Sequence, residues 1–135
     1  MSTEARFMCG ISLILIPTIV YGGLTVLGVV SAQRFGTPGP KTLSSEQISF
    51  YRAGHAHAGV LTLLAVFIQI ALDYVALPSS LVWPLRIAAI GSSILVSGGF
   101  FAVAHWRPLR IILYAGAFLL AATTLTVGLG LIRSR

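Results

Sequence analysis

Three histidines stand out as side chains able to do chemistry. His55 and His57 lie in "FYRAGHAHAGVL" (Phe50 to Leu61), and His105 lies just before "WRPLR" (Trp106 to Arg110). An imidazole nitrogen can ligate haem iron, copper or zinc, or move a proton near neutral pH. On a regular helix His55 and His57 stand about 200° apart, so they cannot both reach one metal ion. The i,i+4 spacing of a two-histidine zinc helix is missing. A second ligand must therefore come from elsewhere, and His105 is the candidate.

His55 follows Arg52 by three residues and His105 precedes Arg107 by two. Both then sit about one helical turn inside the same membrane boundary, on antiparallel neighbours. Ala53, Gly54, Ala56, Ala58 and Gly59 leave the tandem histidines clear of bulk. A bis-histidine haem b needs this combination: axial nitrogens, room for the porphyrin, and basic residues for the propionates. Arg52, Arg107 and Arg110 are available for the last role. Copper or zinc on the same histidines is the alternative, with Glu46 the one carboxylate at that level. The reading without a cofactor has the histidines at the interface, bonded to loop carbonyls or lipid phosphates. Quinone, lipid or proton handling completes the set.

The elements that must position these residues are membrane spans. The chain has 135 residues, 56% hydrophobic and 9% charged, and its mean hydropathy is +0.94. Soluble domains carry about 25% charged residues, so this surface belongs in a bilayer. The net charge of +6 comes from nine Lys and Arg that mostly flank apolar runs, which argues against nucleic acid. Four runs are each long enough to cross a core of about 30 Å, over 8–32, 48–77, 82–105 and 110–132. The first exceeds the roughly 7–15 residues of a signal-peptide core, so it reads as a retained helix. The second is expected to continue to Leu77.

The connections point the same way. "GTPGPKTLSSEQ" (Gly36 to Gln47) is the one sizeable polar loop, and Ser44 with Gln47 makes a capping box that starts a helix near Ser45. "LPSS" (Leu77 to Ser80) ends the second helix and can cap the third, and "WRPLR" is a tight turn. Short connections give an all-α, up-and-down four-helix bundle in one domain. Both termini then share one side, here the terminal side; the long loop and "WRPLR" define the loop side. The loop side has Arg34, Lys41, Arg52, Arg107 and Arg110, against Arg6, Arg86, Arg133 and Arg135. That balance sets no orientation by the positive-inside rule.

Along the second helix His55, Gly59, Thr62, Val66, Gln69 and Asp73 form one stripe. Polar groups in a bilayer face the bundle interior, so Thr62 and Gln69 should point inward, with Asp73 at the far boundary. Hydrogen bonds between helices would be their structural role. His55 shares this stripe and is the favoured haem ligand; His57, on the apolar stripe with Leu61, Leu64 and Ile68, is the fallback if the helix is rotated. Gly59 is the expected point of close approach. The first helix offers Thr18, Gly22, Thr25 and Gly28, and the third Ser93, Ser97 and Gly98.

Cys9 is the single cysteine, so no intrachain disulfide forms, and the lack of CxxCH excludes covalent haem attachment by that motif. No Ser–His–Asp pattern, phosphate loop or carboxylate pair is present, so any enzymatic role rests on a bound cofactor.

At "YRAGHAHAGVLTLLA" (Tyr51 to Ala65) the chain resembles a family of small, uncharacterised four-span bacterial membrane proteins. The resemblance extends to "PTIVYGG" (Pro17 to Gly23), "TPG" (Thr37 to Gly39), "GGFF" (Gly98 to Phe101) and "LYAGA" (Leu113 to Ala117). It implies a multi-pass protein of the bacterial cytoplasmic membrane and carries no activity. "GHAHAG" is also locally similar to histidine-bearing helices of haem-copper oxidase and nitric oxide reductase subunits. Those centres draw on more histidines than the three here, so this chain cannot hold a haem–copper centre.

The leading expectation is haem b or a metal in electron transfer or respiratory chemistry. An accessory subunit of a larger membrane complex, with no cofactor of its own, is the alternative, and a homo-oligomer is equally compatible. A small transporter comes last, since the first helix lacks the mid-membrane carboxylate of small multidrug-resistance transporters.

Overall fold

The computed structural model describes residues 1–36 and 43–134. Lys41 and the Thr37–Gly39 segment lie outside the described residues, as does Arg135. Four long helices follow one another: α1 (Thr3–Phe35), α2 (Ser45–Ala71), α3 (Ser79–His105) and α4 (Arg110–Arg133), with a 3-10 turn at Arg107–Leu109 before α4. Each is long and apolar enough to cross a bilayer. The molecule is an all-α, up-and-down bundle and a multi-pass membrane protein.

Local chemistry fixes the helix ends. Ser44 and Gln47 close their capping box in both directions: Gln47 N donates to Ser44 Oγ at 3.1 Å and Ser44 N donates to Gln47 Oε1 at 3.0 Å. The start of α3 differs from expectation. Pro78 occupies the cap position with no side-chain bond, so the serines of "LPSS" lie inside the helix and do not cap it. The end of α2 is earlier than expected as well, at Ala71 and not Leu77. The chain tightens there, with Asp73 N donating to Ile70 O and Tyr74 N to Ala71 O. Val75 and Leu77 are apolar because they cover the end of the bundle: both pack on the core, and both lie against Gly130 of α4.

Both ends of the chain meet the α2–α3 connection. Ser2 N donates to Asp73 Oδ2 at 2.6 Å, and Ala76 N donates to Ser134 Oγ at 2.9 Å. At the loop side Gln47 Nε2 donates to Ala104 O at 3.1 Å, joining the start of α2 to the end of α3.

Neighbours in sequence are neighbours in space, and the bundle is open on one side. α2 packs between α1 and α3, and α3 between α2 and α4; α1 barely meets α3 and does not meet α4 among the described residues. The buried residues of α1 are confined to its start, at Ala5, Met8, Cys9 and Ser12. The hydrophobic core therefore sits towards the terminal side, built from Met8, Ala65, Ile68, Leu72, Ala89, Ile90 and Val127.

The inward stripe of α2 is as expected at Thr62 and Gln69, which are 3% and 0% exposed. The opposite stripe is not lipid-facing throughout, because α2 is central: Leu61 and Ile68 are buried too. The close approaches fall on other glycines than those expected. A Cβ on Gly59 would meet nothing within 4 Å, whereas one on Gly54 would lie 2.9 Å from the Phe101 ring and 3.1 Å from Ser97 O. The tightest helix crossing is between α3 and α4, at Gly99 and Gly116.

Candidate functional site

The three histidines occupy the loop side on α2 and α3, but each has separate surroundings. His55 points to α1, where its ring lies over Gly23. A Cβ on Gly23 would stand 2.6 Å from His55 Nε2. The room made by a glycine is here taken by the imidazole itself.

His57 leaves α2 on the far face. Its Nδ1 donates to Ala53 O at 2.7 Å, which leaves Nε2 with a free lone pair. Its ring packs against Phe100 at a tilt of 36°, with the ring centres 4.8 Å apart. Beyond it runs a groove of about 590 Å³ between α2 and α4, lined among others by Leu64, Val96, Tyr114, Ala117 and Ala121.

His105 is held by Tyr51. The Tyr51 hydroxyl and His105 Nε2 are 2.7 Å apart, and the two rings meet edge-on at 5.8 Å. Tyr51 is itself braced by the edge of Phe101 at 5.2 Å. This pair lines a groove of about 340 Å³ whose other walls are Thr25, Val26, Val29 and Val30 of α1, with Leu43 and Ile48.

The basic residues expected at a haem rim are all exposed. Arg107 Nη2 lies 3.3 Å from Glu46 Oε1, a surface pair worth well under 1 kcal/mol. Arg52 and Arg110 flank the same side. No group of three or more His, Cys, Asp or Glu side chains converges on one point among the described residues.

The second charged locus, at the terminal side, brings together residues that sequence reasoning kept apart. Arg86 reads from sequence as a flanking charge, yet it is 3% exposed. Its Nη2 donates to Asp73 Oδ1 at 2.7 Å and to Ser2 Oγ at 3.3 Å. Its Nη1 donates to Gln69 O at 2.9 Å and to Gln69 Oε1 at 3.2 Å. Gln69 Nε2 returns a bond to Arg86 O at 2.9 Å. The signal was present as Gln69 near the end of α2 and Asp73 four residues on, just past that end, one short connection from a lone arginine on the next helix. Asp73 therefore does not idle at the boundary. Burial alone would raise its pKa, but bonds from the Ser2 side chain and backbone and from Arg86 outweigh that and hold the carboxyl below its ordinary range.

A group with a lowered folded-state pKa stabilises the fold fully above its unfolded value, about 4 for Asp, and loses that contribution as pH falls through the folded value. Melting temperature in detergent should thus hold steady down to about pH 4 and drop below it. Asp73→Asn should start lower and lack that step.

Deeper in the membrane Thr62 Oγ1 and Ser93 Oγ are 3.2 Å apart, joining α2 to α3. Compared with known proteins, the chain matches no protein family, no curated protein and no solved structure.

Proposed function

We propose that this membrane protein binds a quinone-type ring compound dissolved in the bilayer and serves respiratory electron chemistry. The observation that carries the reading is the Tyr51–His105 pair, 2.7 Å apart, on the wall of an otherwise apolar groove. A quinone carbonyl needs a hydrogen-bond donor and a quinol hydroxyl needs an acceptor. A phenol bonded to an imidazole supplies either, according to which atom carries the proton. Val26, Val29 and Ile48 suit the faces of a ring and the start of an apolar tail. The groove is within the roughly 300–1,000 Å³ of small-molecule sites.

The test is thermal unfolding of the detergent-purified protein with decylubiquinone, using decanol as a tail without a ring. Saturating quinone at about 100 times its Kd should add about 2.7 kcal/mol, a rise of several degrees. Decanol should give little. Tyr51→Phe and His105→Gln should abolish most of the rise, and an undiminished rise in both would sink the reading.

Haem b on His57 is the second reading, and one specific observation favours it. An Nδ1–H bonded to a backbone carbonyl fixes the tautomer that offers Nε2 to iron. Ala117 and Ala121 keep the facing groove open. The expected pairing of His55 with His105 draws no such support, since His105 Nε2 is engaged by Tyr51 and His55 is seated on Gly23. Protein expressed with haem supplied should show a Soret band that survives His55→Ala and is lost in His57→Ala. A spectrum without a Soret band removes this reading and leaves the quinone reading intact.

A further inference from the structure

Helix α1 changes character part-way along. Its buried residues are Ala5, Met8, Cys9 and Ser12, and none of residues 13–35 is buried. Pro17 stands inside the helix close to that change. A proline has no N–H to give, so the Leu13 carbonyl loses its bond from four residues on. Sharp kinks in long helices gather at such positions. The segment before Pro17 is fixed by Met8 in the core and by Ser2, whose side chain bonds to Asp73 and Arg86.

Residues 18–35 form an arm with little to hold it. An open groove of about 210 Å³ parts Thr18 and Ile19 from Ser93, Ile94 and Gly98 of α3. Further along, Thr25, Val26, Val29 and Val30 of the arm are a wall of the Tyr51–His105 groove. The ties of the arm to α2 include two side-chain contacts. The His55 ring lies over Gly23, in the space that any side chain there would fill. Gln33 bonds both backbone groups of Leu43, its Nε2 donating to Leu43 O at 2.7 Å and its Oε1 accepting from Leu43 N at 3.1 Å. Leu43 precedes the cap of α2 and also lines the groove. Both bonds are exposed, so water competes for each partner and they open readily.

A small bend at Pro17 has a large effect on the groove. Val29 stands about 18 Å past Pro17 along the helix, so a bend of about 15° moves it by about 5 Å, and a sharp proline kink exceeds that angle. The movement is greater than the thickness of an aromatic ring. The arm keeps its own backbone bonds as it moves, as a segment in lipid must.

We propose that the arm of α1 beyond Pro17 is a lateral gate, latched by His55 and Gln33, through which a ligand dissolved in the bilayer enters the Tyr51–His105 groove. The identity of that ligand as a quinone rests on the reading above; the gate itself rests on the build of α1. A ligand with an apolar tail suits this route, since the tail stays in lipid while the ring moves sideways towards the Tyr51 hydroxyl. His55 then has a mechanical part: its ring, seated on Gly23, marks the closed position.

The experiment uses the full chain with Cys9→Ser in phosphatidylcholine vesicles, and reads distances between pairs of spin labels by pulsed electron resonance. Leu27→Cys with Ile111→Cys reports the arm, and Phe7→Cys with Leu125→Cys reports the part before the hinge; all four positions are exposed. Without ligand, the distance distribution of the arm pair should be about twice as wide as that of the reference pair. Pro17→Ala should narrow it by restoring the missing bond, and His55→Ala and Gln33→Ala should each widen it. Saturating decylubiquinone should collapse it to its shorter distances, and decanol should leave it wide. Equal widths for the two pairs, or an arm that Pro17→Ala leaves as wide as before, overturn the gate. Association of decylubiquinone, followed by tryptophan fluorescence, should slow several-fold in Pro17→Ala with Kd little changed. An unchanged association rate in a narrowed arm means that the ligand enters elsewhere, and also overturns the gate. Absence of quinone binding sinks the quinone reading, and the widths measured without ligand still decide the gate.

Discussion

Arg86→Met should be among the most destabilising single substitutions in this chain, by roughly 3–5 kcal/mol, because it breaks a buried ion pair from one side only. Methionine replaces the stem of Arg86 well enough, so the loss is electrostatic and not one of volume. Asp73, whose side chain is 10% exposed, would keep its charge with only Ser2 and the chain's first ammonium nearby. The Gln69 carbonyl and side-chain oxygens would each lose a donor inside the bundle. Helix α3 would lose its main polar tie to α2 and its bond to Ser2 at the cap of α1, while Ser2 would keep its two bonds to Asp73. The measurement is chemical or thermal unfolding in detergent, and a loss below about 1 kcal/mol would show that the cluster does not hold these helices together. The double variant Arg86→Met/Asp73→Leu should recover a large part of the loss, since replacing both partners of a buried pair by apolar groups is often neutral. That recovery separates an uncompensated charge from simple damage to packing.

How much of this was legible in the sequence depends on which force wrote each feature. The spans were legible because a bilayer tolerates only long apolar helices, and charge-free runs mark them directly. The start of α2 was legible too, since Ser44 and Gln47 can satisfy each other within one turn. Its end was not: Val75 and Leu77 look like helix continued, and only the packing partner Gly130 explains why they are apolar off the helix. Arg86 was misread for a similar reason. Counting distance from the end of a run cannot separate an arginine that reaches the interface from one paired across a helix contact. Thr62 and Gln69 came out inward because their stripe is polar or small at most of its steps. His55 shares that stripe, but nothing in the sequence says that Gly23 of another helix receives its ring. The glycines were least legible. Gly54 and Gly59, or Gly98 and Gly99, are alike in composition, and only helix rotation decides which one touches a neighbour.

That last ambiguity gives the sharpest packing prediction, a reversal of sign between adjacent residues. Gly98→Ala should leave stability unchanged or raise it by up to about 1 kcal/mol, since an added Cβ meets nothing within 4 Å and alanine is the better helix former. Gly99→Ala should destabilise, because its Cβ would stand 2.7 Å from Leu113 Cα and 2.8 Å from Leu113 N. Those are backbone atoms, which cannot swing aside as a side-chain tip can. The two helices would have to part by several tenths of an ångström, losing dispersion contacts along their whole seam. Overpacking of this kind costs about 1–3 kcal/mol, and Gly99→Leu should exceed that range. Gly116 offers the independent check from the other helix, where a Cβ would lie 2.7 Å from Leu95 Cβ and from Val96 N. Because α4 has α3 as its principal neighbour, a bundle pushed apart at Gly99 or Gly116 has little else to retain its last helix. Protease sensitivity of α4 in detergent should therefore rise in Gly99→Leu and Gly116→Leu and stay at the native level in Gly98→Ala. A Gly99→Leu protein as stable and as protected as Gly98→Ala would mean that α3 and α4 do not cross at these glycines.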